Sequence, residues 1–173
     1  MESMKAQQQD QAAYLVNRHP TSSDSEDDII RQALVILARR VSAFQTVFSD
    51  PNAVRQYLVM RNAAESDQFV ERFTVLFLDN QNRMVASETM FTGTLNQTSV
   101  YPREVVRAAL KHNASAVILS HNHPSASVQP SRADENLTGT LKAALALVDC
   151  RVLDHIITSP DGQSLSMAEK GMI

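Results

Sequence analysis

Two histidines and one aspartate in the second half of the chain have the residue types and spacing of a metal site. His121 and His123 stand one residue apart after a short apolar segment typical of a buried strand, and Asp134 follows at the start of a helical pattern. Because side chains alternate along an extended chain, both imidazoles lie on the same side of it. Asp134 reaches the same ion if the intervening loop folds back, so the sequence predicts two nitrogen ligands and one oxygen ligand.

Three protein ligands are typical of catalytic zinc sites, because they leave the fourth tetrahedral position to water, whereas structural zinc sites usually have four. Zinc lowers the pKa of a bound water from about 15.7 toward about 7, which makes hydroxide available at neutral pH. Imidazole and carboxylate suit zinc best, although they also accept other divalent metals. We therefore expect a single Zn²⁺ ion in each chain.

Each of these residues also has a purely structural interpretation. Histidine pairs with this spacing occur by chance in loops, and Ser131 with Asp134 before a helix forms the pattern of a capping box. Taken alone, the Ser131 and Asp134 pair favours helix capping over metal ligation. The whole segment 120–134 is far less expected by chance than either of its parts.

The segment His-Asn-His-Pro-Ser at 121–125, followed by Pro-Ser-Arg-Ala-Asp at 130–134, resembles the signature of the JAMM (MPN+) metalloproteases, and specifically their bacterial RadC-like branch. The resemblance implies zinc ligation by His121, His123 and Asp134, with Ser131 steadying the tetrahedral intermediate. It further implies hydrolysis of peptide or isopeptide bonds in a protein or peptide substrate, by a metal-bound water that a glutamate activates.

Glu71 is the predicted general base, since a carboxylate near the metal can accept the proton of the bound water. It begins the strand pattern 71–78 on the same face as the apolar residues of that strand. The resemblance supports this choice, because the family has its catalytic glutamate at the start of the first strand. The alternative interpretation is that Glu71 only begins the strand and has its carboxylate in solvent. Glu88, on the returning strand, is the alternative base.

The elements that position these residues follow from the hydrophobic periodicity. Two amphipathic helices come first, at 30–48 and from 51 onward, and their apolar stripes pack on the domain or, alternatively, on a second copy in a homo-oligomer. Strands are predicted at 71–78, 83–91, 114–119, 152–158 and 164–167, and further helices at 101–112 and 131–148. This order predicts an α/β (α+β) fold with a mixed sheet flanked by helices. The resemblance implies a JAMM/MPN-like (cytidine-deaminase-like) core.

The domain organisation is predicted from composition along the chain. Residues 1–28 are polar and acidic, which predicts a flexible tail. Residues 29–62 form a helical leader that packs on the core, and residues 63–173 form the RadC-like domain. The family's helix-hairpin-helix region has no counterpart before residue 50, so we expect a short form of the family.

Composition excludes several classes of protein. The chain has 173 residues, 43% apolar and 20% charged, which is typical of one soluble globular domain. It has no apolar run long enough to cross a membrane and no signal-peptide pattern at its start. The single cysteine, Cys150, is predicted to be a small core residue, and its solitary occurrence favours the cytoplasm. A net charge of -3 gives no clear nucleic-acid footprint.

Several further expectations qualify this interpretation. Ala126 stands where the family usually has glycine, which adds strain if that position needs a positive φ. His155 is predicted to be a packed histidine or one that contacts a ligand without binding the metal, while His19 and His112 are expected in solvent or loops. A catalytically silent MPN-type binding or scaffold module is the alternative function. A DNA-repair-associated protein is less favoured, because neither a basic groove nor a second set of carboxylates stands out.

Overall fold

The computed structural model describes residues 25–43, 51–64, 70–93, 100–125 and 127–173. The helices in these ranges are α1 (Glu26–Ala43), α2 (Pro51–Ala63), α3 (Pro102–Lys111) and α4 (Arg132–Ala146). The strands are β1 (Glu71–Leu78), β2 (Met84–Gly93), β3 (Ala116–Asn122), β4 (Arg151–Thr158) and β5 (Ser164–Ser166).

The described strands form one sheet in the order β2-β1-β3-β4-β5. Strands β3 and β4 are parallel, and the other neighbouring pairs are antiparallel. Parallel neighbours need a long crossover connection, which helix α4 supplies between β3 and β4. The mixed α/β fold predicted from the sequence is therefore confirmed.

One face of the sheet packs against helices α3 and α4. Its buried residues are Phe73, Val75 and Phe77 of β1, Val117 and Leu119 of β3, Val105, Ala108 and Ala109 of α3, and Leu141 and Leu145 of α4. Cys150 belongs to the same cluster and is buried, as predicted. The alternating residues of β1 and β3 thus point to this face in agreement with the period of a strand.

Helix α2 covers the opposite face of the sheet. Val54, Tyr57 and Leu58 of this helix pack against Leu76 of β1 and Ile118 of β3. The described part of the chain is therefore layered as helix, sheet and helices.

Helix α1 already begins at Glu26, within the predicted tail, and Ser25 Oγ accepts a hydrogen bond of 3.2 Å from the Asp28 N–H at its first turn. The domain limits stay a prediction.

Leu110 of α3 is apolar but does not belong to the buried face of the helix, and it is 60% exposed. The buried residues of that helix are Val105, Ala108 and Ala109. A helix turns by about 100° per residue, so a residue that follows Ala109 directly is rotated away from the centre of the buried face.

Helices α3 and α4 end in the same way before they lead into β3 and β4. Asn113 (φ 52°) and Asp149 (φ 56°) adopt the left-handed conformation after the last helical turn. The next residue in each case donates its N–H back to the helix, from Ala114 to the Ala109 carbonyl (2.9 Å) and from Cys150 to the Leu145 carbonyl (3.0 Å). These Schellman-type ends redirect the chain into two adjacent parallel strands. None of the described helices is both long and apolar enough to span a bilayer.

Candidate metal centre

The two predicted histidine ligands lie at the carboxyl end of β3. His121 is 2% exposed, and it pairs with Phe73 of β1 and with Ile157 of β4. The strand continues to Asn122, beyond the predicted end at 119, because both neighbouring strands extend the ladder. The His123 N–H still donates to the Thr158 carbonyl at 2.8 Å. This extended backbone brings both rings to the same side, with 4.6 Å between their centroids.

Asn122, between the two histidines, points away from them and closes the end of the β1–β3 pair. Its Oδ1 accepts a hydrogen bond from the Arg72 N–H (2.8 Å), and its Nδ2 donates to the Val70 carbonyl (3.0 Å). The side chain therefore replaces the ladder bonds that the sheet would otherwise lose at this edge. The sequence analysis gave Asn122 no role, although its amide can both donate and accept.

Asp134 joins the histidines from the first turn of α4. Its Oδ1 lies 3.2 Å from His121 Nε2, and its Oδ2 lies 3.6 Å from His123 Nε2. The Oδ2 atom also accepts hydrogen bonds from Ser131 N (2.7 Å) and Ser131 Oγ (2.6 Å), and Ser131 Oγ accepts one from Asp134 N (3.2 Å). Capping and a position beside the histidines are therefore compatible. The capping box holds the carboxylate in the cluster.

The donor atoms of His121, His123 and Asp134 are close enough to hold one metal ion, since all lie within 4.8 Å of one another. The Nε2 atoms of the two histidines are 2.8 Å apart. His123 Nδ1 lies 2.9 Å from the Ser127 carbonyl, which can only accept, so this nitrogen is protonated and Nε2 carries the lone pair of the neutral ring. Ligands of a tetrahedral zinc ion are separated by about 3.3 Å, so small shifts would adapt the cluster to the ion.

The charges of the cluster favour a bound cation or proton. Burial acts to raise the pKa of Asp134, but the imidazole rings of His121 and His123 beside it outweigh this effect and hold the pKa well below its usual range. The pKa of His123 is raised, chiefly by its hydrogen bond to Asp134 against the effect of burial, and further by the Ser127 carbonyl and by the charges of Asp134 and Glu71. A metal ion therefore competes with a proton for this site.

Glu71, the predicted base, is the first residue of β1 and is half-buried. Phe73 pairs with His121, and extending this register by two residues brings Glu71 opposite His123. The influence of its charge on the pKa of His123 agrees with that proximity. The residue therefore stands beside the cluster of His121, His123 and Asp134, but on a different strand from these histidines.

Glu88, the alternative base, is engaged elsewhere. Its Oε1 accepts hydrogen bonds from Lys111 Nζ (2.9 Å) and His112 Nε2 (2.5 Å), and the bond from Lys111 is the main reason that its pKa is lowered. His112 lies in the turn that follows α3, in agreement with the expectation of a solvent or loop position. Its ring is half-buried and lies 4.9 Å from that of Phe77.

His155 is in contact with the cluster without belonging to it. It is 0% exposed, and its Nε2 lies 2.8 Å from His121 Nδ1. Its Nδ1 lies 2.6 Å from Thr138 Oγ1. Burial, followed by the charge of His121, lowers the pKa of His155 to about 3, so the ring is neutral. The prediction that His155 is a packed histidine in contact with a ligand is confirmed for its packing and for its contact with His121.

Thr138, to which the sequence gave no role, stands one helical turn after Asp134 and is 2% exposed. Residues four apart share one helix face, so the spacing was a signal for a residue close to the cluster. Ala126 and His19 lie outside the described residues.

Comparison with known proteins gives one consistent result. The family described as the RadC-like JAB domain matches residues 48–172. The UPF0758 proteins of Verminephrobacter eiseniae (strain EF01-2) and Acidovorax ebreus (strain TPSY) are 61% and 60% identical to this chain over 145 residues. These matches cover 82% of this chain and 60% and 59% of the relatives.

The UPF0758 protein of Variovorax paradoxus (strain S110) is 57% identical over 145 residues, which are 82% of this chain and 63% of that relative. The chain thus spans about 60% of the length of the curated relatives that it matches. The family match contains the predicted ligands His121, His123 and Asp134, and it also contains Glu71 and Ser131. The chain belongs to the RadC family, as a RadC-like JAB domain.

Proposed function

We propose that this chain is a zinc-dependent hydrolase of peptide or isopeptide bonds. The proposal rests on the convergence of His121, His123 and Asp134, whose donor atoms lie within 4.8 Å of one another. Two imidazole nitrogens and one carboxylate oxygen match the number and type of ligands in catalytic zinc sites. The resemblance of the RadC-like domain to the JAMM metalloproteases supports the same reaction.

A zinc ion held by these three residues would polarise the substrate carbonyl and lower the pKa of water. Glu71 takes the proton of the attacking water at a carboxylate oxygen and gives it to the amine that leaves. Its half-buried position at the start of β1 supports this role, because the carboxylate is beside His123 and still accessible to a substrate. Proton transfer of this kind contributes about 10²–10⁴-fold to the rate.

Ser131 is the proposed donor to the carbonyl oxygen as negative charge develops on it. In this structure its hydroxyl donates to Asp134 Oδ2 at 2.6 Å. The hydroxyl must therefore turn toward the substrate, while Ser131 N still holds the Asp134 carboxylate at 2.7 Å. Capping of α4 is compatible with this rotation, because the backbone half of the capping box remains.

The experiment that tests the proposal is cleavage of a panel of unmodified peptides and isopeptide-linked peptides by the zinc-loaded chain. We expect hydrolysis that stops when a chelator removes the metal and returns when Zn²⁺ is added. Elemental analysis of the same sample should find about one zinc per chain. Zinc retention without cleavage of any substrate would favour the alternative of a silent binding or scaffold module.

A further inference from the structure

His155 and Thr138 lie on the Nδ1 side of His121, away from the donor atoms of the cluster, and the proposed reaction uses neither of them. Both are buried, at 0% and 2% exposure. Their polar atoms form a continuous series of short contacts. Asp134 O lies 2.6 Å from Thr138 Oγ1, Thr138 Oγ1 lies 2.6 Å from His155 Nδ1, and His155 Nε2 lies 2.8 Å from His121 Nδ1.

The direction of these hydrogen bonds follows from the chemistry of each group. A backbone carbonyl only accepts, so Thr138 donates its single hydroxyl proton to the Asp134 carbonyl. With its proton used, the Thr138 oxygen must accept from His155, whose Nδ1 is therefore protonated.

The direction of the last hydrogen bond, between His155 and the proposed ligand His121, follows from the charge of His155. No carboxylate is among the hydrogen-bond partners of His155 at 2.6 and 2.8 Å, so this buried ring is neutral and its Nε2 is an acceptor. It accepts the Nδ1 proton of His121, which leaves His121 Nε2 unprotonated toward His123 and Asp134. Unprotonated Nε2 is the form that binds a metal.

We propose that Thr138 and His155 are positioning residues that fix His121 in the tautomer with a free Nε2. This series of hydrogen bonds, which we call the relay, starts at the backbone of Asp134, passes through Thr138 and His155, and ends at the ring of His121. It therefore joins two proposed ligands through the interior of the protein. This inference rests on the metal site of the proposed function. It adds that the carbonyl of one ligand residue determines the tautomer of another.

His123 offers an internal comparison. Its Nδ1 proton goes directly to the Ser127 carbonyl at 2.9 Å, in the loop before α4, and its side chain is 17% exposed. His121 has 2% exposure and has its partner on the neighbouring strand. The relay therefore makes His121 the more rigidly held of the two histidines.

The test compares Thr138→Val, which keeps the shape and removes the hydroxyl, with Thr138→Ser, which keeps the hydroxyl. Zinc affinity is measured by competition with a chromophoric chelator, and the stability of the metal-free proteins is measured by urea unfolding. We expect Thr138→Val to weaken zinc binding about 10–100-fold, as is typical when a partner behind a ligand is lost. Thr138→Ser should bind zinc like the parent protein. A merely structural role would lower the stability of the Val variant and leave its zinc affinity unchanged, which would overturn the proposal.

A second measurement does not need the metal. Two-bond ¹H–¹⁵N correlation spectra of the metal-free parent protein report which ring nitrogen of each histidine carries the proton. The proposal requires both His121 and His155 to be protonated on Nδ1, with Nε2 of His155 unprotonated. A spectrum with the His155 proton on Nε2 would refute the relay. If the parent chain binds no zinc, the proposed function fails, while this spectrum still decides the direction of the relay.

Discussion

Asp134 lies with one carboxylate oxygen 3.2 Å from Nε2 of His121 and uses the other to cap the helix on which it stands. The helix start and the proposed metal site therefore depend on the same side chain. An amide at this position keeps much of the capping capacity but is a poorer metal ligand than a carboxylate. The two functions can be separated by a single substitution.

Asp134→Asn should lose bound zinc, while the free energy of unfolding of the metal-free protein changes by no more than about 1 kcal/mol. Zinc content after gel filtration and urea unfolding of the metal-free protein measure the two effects. Full zinc occupancy in this variant would exclude Asp134 as a ligand and leave it as a helix cap.

Glu71→Gln should keep zinc and the fold, but it should reduce turnover by about 10²–10⁴-fold because the proton acceptor is lost. The measurement is the rate of peptide or isopeptide cleavage at equal zinc content. Glu88→Gln is the matched control, since Glu88 is bound to Lys111 and His112 and is not part of the cluster. If the Glu71→Gln variant kept nearly the turnover of the parent protein, Glu71 would be excluded as the general base.

The metal-free protein should become less stable as the pH rises above about 6.5. His123 has a raised pKa in the folded state, so its contribution to stability is complete below the unfolded value of 6.5 and is lost as the pH rises through the folded pKa. Urea midpoints measured across this range provide the test. Zinc affinity should change in the opposite sense, because the ion requires the deprotonated ring.

His123→Gln provides the control for that pH dependence, which should be much weaker in the variant. The stability test is limited to pH values above about 6.5, because the titration of His155 has the opposite effect on stability at acid pH. Burial lowers its pKa to about 3, so its contribution is complete above the unfolded value of 6.5 and is lost as the pH falls through the folded pKa. A urea midpoint that is flat in the parent protein above pH 6.5 would contradict the prediction for His123.

Added zinc should raise the stability of the parent protein, because it binds only the folded site. Free zinc at one hundred times its dissociation constant corresponds to about 2.7 kcal/mol. Thermal unfolding with and without Zn²⁺ measures the effect. The double variant His121→Ala/His123→Ala should show no shift, and an equal shift in this variant would indicate that zinc binds elsewhere.

The sequence predicted much of the fold and the proximity of the histidines, because both depend on local periodicity. Alternation along β3 was enough to bring His121 and His123 to one side. The contact between Thr138 and His155 was not predictable in this way, since it joins a helix to a strand that follows it in the chain. Periodicity indicates which face a residue occupies, whereas its partner on that face depends on how the elements pack.

The position of His112 shows the same limit at another place. Its location in the turn after α3 was expected, but its packing against Phe77 and its hydrogen bond to Glu88 were not. That hydrogen bond also engages the carboxylate of Glu88, the alternative base. Two residues that the sequence treated separately thus proved to be one pair.

The proposed metal ligands and the relay behind them all come from the single unit β3-α4-β4, whereas Glu71 comes from β1. The residues proposed to hold an ion and the residue proposed to transfer a proton are therefore encoded in separate parts of the gene. A single mutation in β1 can remove the glutamate and leave the proposed ion site intact. Such a change would convert the proposed hydrolase into a domain that still binds the ion but no longer cleaves.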